Sequence, residues 1–249
     1  MTEFKICLAN RVIAVDAIYG STMEFCRDYL TDAEADFAVS LTSRDIEAED
    51  VRSDRERELE GLPLCKFSSP YLETLALYRK IAEKMIDYGV ILFHGSAISV
   101  DGEVYIFTAK SGTGKSTHTR LWRQNFGDRA VMVNDDKPLL AIDDKGTTVY
   151  GTPWNGKHHL GANISAPLKA ICILERSETN HIKRISTSEA FSGVLSQTYR
   201  FADPMGMKKT LELIDKMLST TAVYRLGCNM EQEAATVAYN GMKGKNDEA

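Results

Sequence analysis

The residues Ala109-Lys110-Ser111-Gly112-Thr113-Gly114-Lys115-Ser116-Thr117 have the types and spacing that hold the phosphates of a nucleotide. They follow an apolar, β-branched run, Val104-Tyr105-Ile106-Phe107-Thr108, and open a segment with helical character. Strand, glycine-rich turn, Lys-Ser and helix is the order of a Walker A phosphate loop, or P-loop. Glycines let the backbone curl so that successive N–H groups point at phosphate oxygens, and the helix N-terminus adds partial positive charge. Lys115 supplies a point charge for the outer phosphates, and the Ser116 hydroxyl can ligate Mg²⁺. Ala109 stands where the full pattern has Gly, which a negative φ at that position accommodates. Residues Ser111, Gly112, Thr113, Gly114, Lys115, Ser116 and Thr117 are therefore the candidate nucleotide-binding set.

A phosphate loop specifies a nucleotide but not a reaction. Asp135-Asp136 ends the apolar run Val131-Met132-Val133, twenty residues after Lys115. A carboxylate at a strand end beside the loop is where the partner of Ser116 on Mg²⁺ must sit. Two adjacent carboxylates can divide the work, one on the metal and the other taking a proton from an attacking hydroxyl. His94 is expected on the strand that pairs with the one entering the loop. Gly151-Thr152-Pro153-Trp154-Asn155-Gly156-Lys157-His158-His159-Leu160-Gly161 reads as a loop with glycine hinges. Trp154 offers it either a stacking surface or an anchor in the core, and Lys157 a cation for a lid over the γ-phosphate. The neighbouring His158 and His159 point opposite ways on an extended chain and make no metal pair.

Three segments together, Phe93-His94-Gly95-Ser96-Ala97, Ser111-Gly112-Thr113-Gly114-Lys115-Ser116 and Val133-Asn134-Asp135-Asp136, resemble the HPr serine kinase/phosphorylases and the ATP-dependent phosphoenolpyruvate carboxykinases. The resemblance spans roughly residues 90–175. It implies Lys115 on phosphates, Ser116 and Asp136 on Mg²⁺, Asp135 as base, and His94 near the transferred phosphate or a second metal. Residues 151–161 differ from the Glu-Ile-Arg-Gly stretch of HPr kinases and are similar to a shorter HPr-kinase-like group. The activity implied by the resemblance is that of an ATP- and Mg²⁺-dependent phosphotransferase acting on a hydroxyl, a serine of a peptide or protein or a small molecule. The alternatives are a regulatory nucleotide-binding module with little or no turnover, and a carboxykinase-like lyase, which the absence of any matching oxaloacetate site disfavours.

The elements that must position these residues read as α/β, with a mixed, largely antiparallel sheet, a small N-terminal α/β lobe (1–65) and a loop-bearing domain with C-terminal helices (66–249). Strands are expected at 4–8, 12–16 and 36–41, and a helix capped by Ser21-x-x-Glu24. The charge-dense 44–61 reads as a solvated loop or surface helix at the lobe boundary. Leu72, Leu75, Tyr78, Ile81, Ala82 and Met85 make a helical stripe after Ser69-Pro70, expected against the nucleotide-binding sheet. Residues 90–100 and 103–108 form a hairpin through Asp101-Gly102, 139–142 and 147–150 a second, with further strands at 130–133, 168–174 and 222–226. Ser186, Asp203 and Asn229 mark helix starts in a mostly helical remainder.

Composition agrees with a globular protein: 43% of the 249 residues are hydrophobic and 26% charged. A net charge of −5 without a basic run gives a nucleic-acid partner no support. No apolar stretch approaches the ~20 residues of a membrane span. Five scattered cysteines, without a CxxC pair or a signal peptide, fit reduced thiols in a cytoplasm. Homo-oligomer formation stays open.

Overall fold

The computed structural model describes residues 1–59, 61–156 and 158–244. The chain divides into two compact units, Met1–Met85 and Ile86–Ala249. The first unit holds a three-stranded sheet. Strands β1 (Thr2–Leu8) and β2 (Arg11–Ala17) form an antiparallel hairpin, and β3 (Phe37–Ser40) joins β2 in parallel. Three helices accompany it: α1 (Gly20–Phe25), α2 (Ser43–Leu59) and α3 (Ser69–Met85).

The expected Ser21 capping box does not form. The helix begins at Gly20, after Tyr19, with no side-chain cap of its own. A distant carboxylate substitutes: Glu73 of α3, fully buried, accepts the Ile18 and Tyr19 N–H groups (2.7 and 3.2 Å) and the Thr22 hydroxyl. The charge-dense stretch is helical throughout α2, burying Ile46, Glu49 and Ser53. Arg79 of α3 grips Glu49 by two hydrogen bonds of 2.8 Å. The apolar stripe of α3 is core and packs with α1, α2 and β3 in the first unit. The first compact unit extends through Met85, the end of α3.

The second unit is built on a nine-stranded sheet. Its elements in chain order are β4 (Val90–Leu92), β5 (Ser96–Val100), β6 (Glu103–Thr108), α4 (Lys115–Phe126), β7 (Ala130–Asn134), β8 (Leu139–Asp143) and β9 (Gly146–Tyr150). Next come β10 (Ser165–Arg176), β11 (His181–Ile185), α5 (Thr187–Ser196), α6 (Pro204–Thr220), β12 (Ala222–Cys228) and α7 (Glu233–Lys243). The path runs β4-β8-β9-β10-β6-β5-β7, with β12 on β10 and β11 on β12. Only the β10–β6 and β10–β12 pairs are parallel, so the sheet is mixed and largely antiparallel.

Helices cover the sheet on both faces, which is why β6 is an unbroken apolar run. Val104 and Ile106 point into a core shared with Val194 of α5 and with Ile214 and Met217 of α6. Tyr105 and Phe107 point into a second core with Leu121 and Trp122 of α4 and Ala235 and Ala238 of α7. The strand β11 lies in a region expected to be mostly helical. It is mostly exposed, with Ile182 half-buried and Ile185 buried, as fits an edge strand paired with β12. Ser186 does form its capping box with Glu189, and Asp203 caps α6. The last helix starts at Glu233, because Asn229 is used to pin the preceding turn, its Oδ1 accepting the Glu231 N–H at 3.0 Å.

Replacing Glu73 with Ala strands the donors it satisfies in the first unit. Stability should fall by roughly 2–4 kcal/mol, the cost of leaving several buried polar groups unpaired. Urea unfolding followed by far-UV circular dichroism checks this. An unchanged midpoint would mean that water replaces the carboxylate without loss.

Candidate active site

The glycine-rich turn leaves β6 and enters α4 as the sequence suggests. Gly112 and Gly114 have φ of 74° and 124°, conformations open to glycine, and Gly114 occupies the N-cap of α4 with no side chain capping it. The first N–H groups of the helix therefore face outward beside Ser116, which is exposed. Lys115 Nζ lies 3.4 Å from the Ala109 carbonyl, folded back over the turn. From the end of β10, Arg176 donates to the Gly112 carbonyl at 2.7 Å.

Asp135 and Asp136 emerge at the end of β7, which pairs with β5, which pairs with β6. Two strand spacings, about 10 Å, thus separate the strand carrying the carboxylates from the one carrying the turn. The intervening chain is cross-tied at this edge. Ser96 Oγ donates to the Asp135 carbonyl (3.0 Å), Gly95 N–H to the Asp136 carbonyl (2.9 Å), and Thr108 Oγ1 to the His94 carbonyl (3.0 Å).

The two carboxyl groups have opposite surroundings. Asp135 is only 5% exposed, and its Oδ2 is buried without a hydrogen-bond partner. Its Oδ1 accepts the Gly156 N–H at 2.5 Å. A Cβ at Gly156 would sit 3.1 Å from Oδ2, tighter than ordinary contact, so glycine suits this approach. Burial pushes the Asp135 pKa above the usual carboxylate range; the Gly156 hydrogen bond pulls it back, and the charge of Asp136 pushes it further up. For Asp136, burial also acts upward. The His94 hydrogen bond and the charges of Lys137, His94 and Lys115 together outweigh it and hold the pKa low. His94 Nε2 lies 3.3 Å from Asp136 Oδ1.

Two sequence expectations need correction. His94 does not lie on the strand that pairs with β6. The chain leaves the sheet after β4 and rejoins it at β5, and His94 sits in the connection, its N–H bonded to the Gln197 carbonyl at 2.7 Å. The side chain still reaches Asp136 from there. Trp154 is not a stacking surface, being 3% exposed. The segment 151–154 is buried because it folds back on the end of β7: Ala162 N–H bonds the Val133 carbonyl (3.2 Å), and Thr152 Oγ1 the Lys137 carbonyl (3.0 Å). Lys157, the expected lid cation, lies outside the described residues; His158 and His159 are exposed.

Asn134 is a site residue that its sequence context alone does not single out. Fully buried, it accepts the Asp136 and Lys137 N–H groups on Oδ1 (2.8 and 2.7 Å), setting the turn that splays the two aspartates. Its Nδ2 holds Thr152 Oγ1 at 3.0 Å. An Asn at a strand end bonding its backbone two residues on is a legible Asx-turn signal. His118 is equally unmarked in sequence. On α4 it is buried, accepts Trp122 Nε1–H on Nε2 at 3.0 Å, and has a pKa lowered by burial to about 4.

Among the described residues no group of three or more His, Cys, Asp or Glu could hold a metal ion, and no helix is long and apolar enough to cross a membrane. No family model matches the chain, and no curated protein matches it. Among solved structures, the Hpr(Ser) kinase/phosphatase from Coxiella burnetii aligns at 8% identity with a TM-score of 0.37, over 61% of this chain and 88% of that one. This likeness is distant.

Because the folded-state pKa of Asp135 is raised, its ionisation costs folding free energy as pH climbs from the unfolded value through the folded one. Asp135→Asn should therefore be at least as stable as the wild type at neutral pH. Its advantage should disappear in acid, where the wild-type carboxyl is protonated in both states. Thermal unfolding across this pH range measures the difference; a variant less stable than wild type at neutral pH would contradict the electrostatic assignment.

Proposed function

We propose that this protein is an ATP- and Mg²⁺-dependent phosphotransferase that moves the γ-phosphoryl group to a hydroxyl, a serine of a peptide or protein or a small molecule. One observation carries the reading. The glycine turn and the Asp135–Asp136 pair stand at one edge of the sheet; His94 lies on Asp136, whose pKa is held low, while Asp135 has a buried, unpartnered oxygen and a raised pKa. That pairing of one carboxylate kept ionised and one tuned upward is what separates metal binding from proton transfer.

Residues Ser111–Thr117 receive the phosphates on their N–H groups, and Lys115 neutralises the outer oxygens. The donor set available for Mg²⁺ is all oxygen, the Ser116 hydroxyl and the Asp136 carboxylate. This suits a hard cation that binds through one or two protein oxygens and completes its shell with phosphate and water. Mg²⁺, when bound, supplies charge neutralisation on the phosphoryl oxygens. His94 orients Asp136 through Oδ1. In the transfer the acceptor oxygen bonds to the γ-phosphorus, the bond to the β–γ bridging oxygen breaks, and ADP departs with the electron pair. Asp135 Oδ2 takes the hydroxyl proton, and its raised pKa makes it a better base near neutral pH. The cytoplasm, where ATP and Mg²⁺ are abundant, is the setting this chemistry fits.

Lys115→Ala should lower nucleotide affinity and turnover together while the fold survives. Wild-type ATP affinity by calorimetry in that variant would remove the turn from the site. Asp135→Asn should hold Mg·ATP within a few-fold of wild type and slow single-turnover transfer from γ-labelled ATP by ~10²–10⁴, the usual loss of general acid–base help. Equal loss of binding and transfer would make Asp135 a metal ligand instead. Asp136→Asn should raise the Mg²⁺ concentration for half-maximal transfer, and an unchanged Mg²⁺ titration would exclude it as the ligand.

A further inference from the structure

We propose that Arg176 is a positioning residue for the phosphate site: from the end of β10 it clamps the glycine turn in the shape that receives the phosphate donor. This rests on reading residues 109–117 as the phosphate site and adds what holds that turn in place.

Sheet register puts Arg176 there. Strands β10 and β6 are parallel neighbours, and Ile173 is the partner of Thr108, the last residue of β6. Here β6 gives way to the turn, while β10 continues for three residues to Arg176. At the rise of an extended strand these carry it about 10 Å further, level with the turn. Alternation then chooses the face. Cys172 and Leu174 point into the core shared with Leu121 and Trp122 of α4. Arg176, two residues on, points to the same side, where the turn enters α4. Its neighbour Glu175 points to the other side and pairs with Arg225. Among the described residues no carboxylate pairs with Arg176, and its guanidinium donates to the Gly112 carbonyl at 2.7 Å.

The turn needs such a tether. Thr113 N–H donates to the Lys110 carbonyl at 3.2 Å and closes a four-residue turn. Gly112, third in that turn, has a φ of 74°, as the type II form requires. Glycine backbone leaves such a conformation easily, and packing does not prevent it: beyond the chain neighbours, no atom lies within 4 Å of where a Gly112 Cβ would stand. In a trans peptide the C=O and N–H point opposite ways. The Gly112–Thr113 unit is therefore held from both sides, its N–H by Lys110 and its carbonyl by Arg176. Fixing that plane fixes how the chain continues through Gly114 into α4, whose first N–H groups are read as phosphate donors. A turn preset in its bound shape spares the ligand the cost of ordering it. The tether is also charge-assisted, and so stronger than a bond between neutral groups.

The test joins nitrogen-15 relaxation of backbone amides in the ligand-free protein to calorimetry of Mg·ATP and Mg·tripolyphosphate, in the wild type, Arg176→Ala and Arg176→Lys. In the wild type the Gly112 and Thr113 amides should be rigid, with order parameters of about 0.85. In Arg176→Ala they should fall below about 0.6 while β6 and α4 are unchanged. Arg176→Ala should weaken both ligands alike, roughly tenfold, because both meet the turn through phosphate. Arg176→Lys keeps a charged donor on a long stem and should recover most of that loss. The loss should persist at about 0.5 M salt, where an effect of charge at a distance is screened out. Unchanged amide order or unchanged affinity in Arg176→Ala would overturn the proposal. So would a loss that vanishes at that salt, or Arg176→Lys as weak as Arg176→Ala. The reading beneath it fails separately: a wild type with a rigid turn that binds neither ligand would overturn the phosphate site itself.

Discussion

Two carboxylates in sequence at the end of a buried strand repel one another and resist burial, and the second unit is arranged around keeping them different. Asn134 turns the chain so that they splay, and Gly156 gives one of them a backbone N–H. His94 and the charges of Lys137 and Lys115 hold the other ionised. Asn134 and Lys137 flank the pair in sequence, whereas His94 arrives from the β4–β5 connection, Lys115 from the first turn of α4 and Gly156 from the segment after β9.

That order also explains why the site lies at one edge. With β5 between them, β6 and β7 run in the same direction, and their ends bring the glycine turn and the carboxylates to the same side at about two strand spacings. A direct β6–β7 pairing would halve that separation. Rigid strands buried on both faces hold this spacing, and packing on Trp122 anchors α4 through Tyr105 and Phe107. The chemistry thus sits on loops whose stems are fixed by the core.

What the sequence discloses is local. Glycines, Lys115-Ser116 and a preceding apolar run specify a turn through contacts a few residues apart, and the turn stands where those residues place it. The hairpin at Asp101-Gly102 and the caps at Ser186 and Asp203 are legible for the same reason. Most of the corrections concern distant partners. The stripe of α3 identifies a buried helix face but not which core covers it, and Glu73 and Arg79 answer that only through residues more than 25 positions away. Trp154 admits two readings in sequence because its burial depends on Gly151 to Ala162 folding back on β7. His94 reads as part of a strand because Val90 to Val100 is largely apolar, and nothing local shows that the chain changes partners at Phe93 to Gly95. The buried pairing of His118 with Trp122, one helical turn away, likewise carries no mark in the sequence.

The divided charge state of Asp135 and Asp136 underlies every role assigned to the site, and it is directly observable. Carbon-13 labelling of aspartate side chains, with carboxyl resonances followed by NMR against pH without added Mg²⁺ and assigned with Asp135→Asn, resolves the two groups. Asp135 should titrate above the ordinary carboxylate range and Asp136 below it. Both groups titrating together at ordinary values, or in the reverse order, would contradict the assignment of one as proton acceptor and the other as metal ligand.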